Sequence, residues 1–128
     1  MKKLAVLAMA GLMSVTASAS NWVQFEVSSI DGVEFEIDTD SIISSGFYKK
    51  AFIKHIYPDV TTEGGIKFNS VVGLYQIDCT SQPMRIRLES AIFRLNSELV
   101  FNSDDPAEWI FAYPDTVAEA FIDFVCSY

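Results

Sequence analysis

The sequence predicts an α+β domain: a single antiparallel β-sheet of about six strands, with one C-terminal α-helix packed on a face and tied to the sheet by a disulfide. Three observations predict it. Between Val23 and Phe101, apolar and polar residues alternate in short runs, the period of half-buried strands. From Val117 to Val125 the apolar residues recur at helical spacing instead. The chain also holds two cysteines, Cys79 at the end of the strand-like run Leu74-Tyr75-Gln76-Ile77-Asp78 and Cys126 near the C-terminus. They allow one pairing, which would fasten the last element to the middle of the chain.

A disulfide implies an oxidising compartment, and the N-terminus has the pattern of a secretory leader. Lys2-Lys3 form a basic start, Leu4 to Met13 an apolar stretch, and Ala17-Ser18-Ala19 a small-residue cleavage signature. The apolar stretch is far shorter than the ~20 residues of a membrane span. Residues 1–19 are therefore expected to be a signal peptide and residues 20–128 one small mature domain, with no cysteine after the cut to carry a lipid anchor. Loss of Lys2 and Lys3 takes the net charge from −8 to −10. Such acidity argues against nucleic acid or an anionic membrane as a partner attracted by bulk charge. Seventeen aromatic residues are available to fill a core.

Taken in order, Val23, Phe25 and Val27, then Val33, Phe35 and Ile37, form the two arms of a hairpin turned at Asp31-Gly32. Asp40 to Gly46 reads as a connection. Phe47 to Tyr57 is β-branched and aromatic, a third strand ended by Pro58. Asp59 to Gly65 is polar and glycine-containing, a loop. Ile66 to Asp78 makes a long fourth strand with apolar residues at both parities: either both faces are covered, or Gly73 marks a bulge. After a turn at Thr80 to Pro83, Met84, Ile86 and Leu88 share one face. The parity then flips near Ser90, because Ala91, Phe93 and Leu95 form the next apolar set, which suggests a second bulge. Asn96-Ser97 turns the chain into Leu99-Val100-Phe101. Asn102 to Glu108 is an acidic loop leading to Trp109-Ile110-Phe111.

Pro114 precedes the helix, and Thr116 followed by Glu119 fits a capping box, each side chain answering a backbone amide of the first turn. Val117, Ala120, Phe121, Ile122, Phe124 and Val125 fill one arc of the helix, opposite Glu119 and Asp123. Cys126 falls at the rim of that arc.

Residues capable of chemistry are sparse. His55 is the single histidine, so no two-histidine metal site can be built; a packing or surface role fits it. Asp38-Thr39-Asp40 resembles half of an aspartic-protease signature but lacks the glycine and a second copy. Turn capping by Asp40 and Ser41 accounts for it. Asp104, Asp105 and Glu108 lack EF-hand spacing and read as a solvated loop. With both cysteines bridged, no thiol remains as a nucleophile. Catalytic residues, metal ligands and cofactors are expected to be none.

Charge is segregated along the chain. All seven basic residues after the leader lie between positions 49 and 94, where only four acids oppose them. Surface solvation explains this; the alternative is a binding face around Lys49, Lys50, Lys54, Arg85 and Arg87.

Several landmarks in order resemble the surface-adhesin protein E family of Gram-negative bacteria. They are Trp22-Val23, Ile37-Asp38-Thr39-Asp40-Ser41-Ile42, Ile77-Asp78-Cys79 with Arg85 following, Trp109 with Pro114-Asp115-Thr116, and Val125-Cys126. The resemblance implies an antiparallel sheet with a disulfide-joined C-terminal helix, and an exported, non-catalytic protein. It further implies a protein partner, such as the host extracellular-matrix proteins vitronectin and laminin, or plasminogen. Another envelope protein of the periplasm is the alternative partner.

Overall fold

The computed structural model describes residues 20–25 and 32–128. The expected hairpin turn at Asp31-Gly32 falls largely outside these residues, but its arms pair as anticipated. Strand β1 (Trp22–Gln24) runs antiparallel to β2 (Glu34–Asp38), with Val23 opposite Ile37. A 3-10 turn, Thr39–Ser41, follows. Asp38 caps it, correcting the expectation that Asp40 does: Asp38 Oδ1 accepts from Asp40 N at 3.1 Å and from Asn21 N at 2.8 Å. Ser41 contributes as expected, its hydroxyl donating to the Asp38 carbonyl at 2.7 Å.

The remaining strands are β3 (Ile43–Ser45), β4 (Tyr48–Glu63), β5 (Ile66–Asp78), β6 (Arg85–Leu95), β7 (Glu98–Ser103) and β8 (Ile110–Phe111). They form one antiparallel sheet in the order β1-β2-β4-β5-β6-β7, with β3 also on β4 and β8 also on β6. The sheet thus has eight strands rather than about six, for a simple reason. Two lines of the sheet are each divided: β2 and β3 lie along one side of β4, interrupted by the 3-10 turn, and β7 and β8 lie along one side of β6, interrupted by residues 104–109. Ile43-Ser44-Ser45, expected in a connection, is a strand because it continues the line of β2. Asn102 and Ser103 likewise belong to β7 rather than to the acidic loop.

Pro58 does not end the third strand, and residues 59–63 are not a loop. β4 runs on to Glu63 and turns at Gly64-Gly65, both at positive φ. The register with β5 breaks between Ile56 and Thr61. Pro58 sits in that break, where a missing amide proton leaves no ladder bond unmade.

The parity flip in β6 is a bulge. Leu74 lies opposite Ser90 and Tyr75 opposite Leu88, so Glu89 is the extra residue. Gly73 has a different role. A Cβ there would stand 2.7 Å from Leu88 Cδ1 and 2.8 Å from the Tyr75 ring, which close over the glycine.

Helix α1 (Val117–Cys126) lies on one face of the sheet. Phe121, Ile122 and Val125 are buried against Phe35, Ile37, Ala51, Ile53, Ile77 and Ile86. Its cap is a variant of the expected box. Thr116 Oγ1 accepts from Glu119 N at 3.2 Å, but Glu119 reaches Asp115 N, at 2.9 Å, rather than Thr116 N. Asp115 adopts φ 62°, which turns its amide toward the carboxylate. At the other end Cys126 is bonded to Cys79 across a separation of 47 residues, with Cα atoms 5.8 Å apart, and Lys49 Nζ donates to the Val125 carbonyl at 3.3 Å. A cation at the C-terminal turn is the favourable sign for a helix dipole.

Candidate functional site

Strand alternation places the candidate basic residues. Ala51 and Ile53 of β4 are buried under α1, so their neighbours Lys50, Phe52 and Lys54 point to the other face. By the same parity Arg85 and Arg87, flanking buried Ile86, point there too, across from Asp78 and Gln76. Four of the five residues therefore share the face opposite α1. Lys49 is not among them: it faces the helix.

Two clusters occupy this open face, and both are built by cross-strand register. In the first, Tyr48, Asp78, Arg85 and Phe111 are consecutive partners across β4, β5, β6 and β8. Trp109, arriving just before β8, covers them. Its ring lies 4.6 Å from the Arg85 guanidinium, 5.0 Å from that of Arg87, and 5.2 Å from the Tyr48 ring. Two guanidinium planes against one indole hold three flexible side chains in register, because the ring's negative face attracts both cations. In the second cluster Lys54 lies 4.2 Å from the Trp22 ring and 3.7 Å from Glu36, its partner across the strands.

The cations are closely held. Arg85 Nε donates to Asp78 Oδ2 at 3.2 Å, Lys50 pairs with Glu89 at 3.2 Å, and Arg87 Nε donates to Gln76 Oε1 at 2.7 Å rather than to a carboxylate. Asp78, 5% exposed, also accepts from the Thr80 hydroxyl and the amides of Thr80 and Ser81. The Thr80 hydroxyl, then the amides and Arg85, hold its carboxyl below the usual carboxylate range. The surface is accordingly a patterned one of matched pairs and aromatic rings, not a bare positive patch.

Two partners were not legible beforehand. Trp109 is separated from Arg85 and Arg87 by the whole of β7 and the acidic loop, and only the β6–β8 pairing joins them. Glu36 lies outside the basic segment yet neutralises Lys54 within it.

The other titratable groups belong to packing. The His55 ring sits edge-on to Phe35 at 4.9 Å and to Phe121 at 6.0 Å, and its Nδ1 has no partner among the described residues. Burial lowers its pKa from 6.5 to about 4, leaving the ring neutral. Burial also pushes the Tyr75 hydroxyl up to about 12. Among the described residues no group of three or more His, Cys, Asp or Glu is placed to hold a metal ion. Among the same residues no helix is long and apolar enough to cross a membrane.

No curated protein and no solved structure matches the chain. A family model does: that of surface-adhesin protein E, over residues 22–127. The match takes in every element described above, from Trp22 in β1 to the disulfide-anchored turn of α1, and the chain belongs to the surface-adhesin protein E family.

Proposed function

We propose that this protein is an exported, non-catalytic binding module that takes a protein partner on its open sheet face, with Trp109 and Arg87 at the centre. The observation that carries the reading is the Arg85–Trp109–Arg87 stack, flanked by Tyr48. Trp, Tyr and Arg are the side chains enriched where binding energy concentrates, and here Tyr48, Arg85 and Arg87 on strands and Trp109 beside β8 hold one another in place, which lowers the entropy lost on association. Export follows from the leader pattern of residues 1–19 and from a disulfide that needs an oxidising compartment. The partner class is host extracellular-matrix protein, with laminin and vitronectin the first to try.

The test is surface plasmon resonance on immobilised laminin and vitronectin. Trp109→Ala and Arg87→Glu should each weaken capture at least tenfold with the melting temperature preserved. Lys49→Glu, on the helix side, should leave it unchanged. Equal capture by all three variants would remove the face from consideration.

A second reading places the protein in the periplasm, binding another envelope protein. It is favoured by the disulfide, which the oxidising periplasm satisfies as well as the cell surface does. Protease treatment of intact cells separates the two: complete protection excludes display at the surface.

A further inference from the structure

One end of the sheet is aromatic, and the segments that extend beyond it carry no charged side chain. Register defines it: Ser45, Tyr48, Asp78, Arg85 and Phe111 are cross-strand neighbours. Everything beyond that row therefore leaves the sheet at the same end. Three connections do so, Gly46-Phe47 between β3 and β4, residues 79–84 between β5 and β6, and residues 112–116 before α1. The Cys79–Cys126 bond brings the last turn of α1 there as well.

Segments 41–48, 79–84, 109–114 and 124–128 contain no charged side chain, in a chain with 26 charged residues. They carry instead Phe47, 79% exposed, Tyr113, 71%, Tyr128, 63%, and Phe111, 50%, with Ile43 and Ile110 on the rim. Six of the eleven large hydrophobic residues exposed among the described residues thus gather at this end. The charges bordering it are Asp115, at the edge, Lys49, whose ammonium is held by the Val125 carbonyl, Lys50, which is the cross-strand partner of Ile43 and pairs with Glu89, and the internally neutral Asp78–Arg85 pair. With about 150–250 Å² on an aromatic side chain, the four half-exposed rings and the two isoleucines together present on the order of 600 Å², the upper limit for a monomer's largest apolar patch.

We infer that this end is a docking surface for the interface of a zwitterionic lipid bilayer. Phe and Tyr interspersed with Ser, Thr and Gln, with no Lys or Arg, match the headgroup zone, where amphipathic rings reside. The charge balance selects the lipid. A domain of net charge −10 is repelled by an anionic surface, and the cations bordering this end, Lys49, Lys50 and Arg85, are already engaged by the Val125 carbonyl, Glu89 and Asp78. The Ser45-Gly46-Phe47-Tyr48 turn is the inserting element, with Phe47 at its tip and Gly46 at φ 69°. Tyr113 and Phe111 follow from the β8 side. Contact of this kind is shallow and reversible.

The test is co-sedimentation of the oxidised protein, freed of residues 1–19, with large vesicles of phosphatidylcholine. The paired substitution Phe47→Ser with Tyr113→Ser should lower partitioning at least tenfold, with the melting temperature unchanged because both residues are exposed. Arg87→Glu and Val100→Ser should leave partitioning alone, which keeps this inference separable from the protein-binding reading. Addition of phosphatidylglycerol should weaken binding, and more so at low salt. In a second measurement that retains the apolar tip, Phe47→Trp should blue-shift its emission on neutral vesicles. No binding at millimolar lipid, binding indifferent to the paired substitution, binding that requires anionic lipid, or an unshifted tryptophan would each overturn the inference.

Discussion

Lowering the pH should undermine this fold through His55 before it touches the carboxylates. The ring is packed edge-on between Phe35 of β2 and Phe121 of α1, so protonation would place an unpaired charge in the helix–sheet interface. Burial lowers its pKa from 6.5 to about 4. Between those values the unfolded chain takes up a proton that the folded protein refuses, so stability declines as pH falls from 6.5 and levels off below about 4. The displacement corresponds to about 3 kcal/mol at most, a large part of the net stability of a small domain. Asp78 acts in the same direction but in a lower window: its depressed pKa confers stability above the ordinary carboxylate value of 3.8 that is lost below it. The assay is urea unfolding at closely spaced pH values, for the native protein and for His55→Phe. The variant carries the carboxylate background without the imidazole, and any overpacking by the larger ring is a pH-independent offset. The difference between the two should change by about 2–3 kcal/mol from pH 7 to pH 4.5. Parallel curves, or an NMR titration placing the His55 midpoint above 6, would refute the account.

Other substitutions probe the remaining joints. Reducing the disulfide, or Cys79→Ser or Cys126→Ser singly, should each cost about 4 kcal/mol by loop entropy, or about 15 °C in Tm; an unshifted calorimetric melt would dismiss the cross-link as a source of stability. Gly73→Ala should destabilise by about 1–3 kcal/mol by overpacking, since its new methyl meets Leu88 and the partly buried Tyr75 ring; a neutral urea midpoint would mean those side chains swing away freely. Thr116→Ala should cost about 1 kcal/mol, and Glu119→Ala about 0.5 kcal/mol through the exposed Asp115 amide. Amide exchange in the first turn of α1 should quicken in both.

Legibility from sequence was uneven, for reasons that attach to particular residues. Strands with one buried face were evident: alternation identified β1, β2 and β6, and the parity flip near Ser90 placed the Glu89 bulge. The helix was evident because its apolar arc and Thr116 cap are local features, and the Cys79–Cys126 pairing followed from there being two cysteines. What escaped were features set by a neighbouring chain segment. Ile43-Ser44-Ser45 is too short and too exposed to show a period, and only the edge of β4 makes it a strand. Pro58 stops a strand in isolation, but not where the ladder is already out of register. On the face opposite the helix, linear charge counting grouped five cations. Alternation sends Lys49 to the other side, and pairing with Glu36, Asp78 and Glu89 removes most of the excess charge. Trp109, the ring that organises the cluster, could not be linked to Arg85 and Arg87 without the β6–β8 pairing.

The helix shelters only one side of the sheet, and this separates two kinds of constraint on the sequence. Odd-numbered positions of β4 such as Ala51 and Ile53 answer to the core, while their even-numbered neighbours answer to whatever the outer surface meets. A lineage could therefore exchange the indole, the guanidinium pair or their cross-strand acids for other chemistry while the interior and its covalent clasp stay as they are. The architecture behaves as a mounting plate whose exterior can be re-tooled from one target to the next.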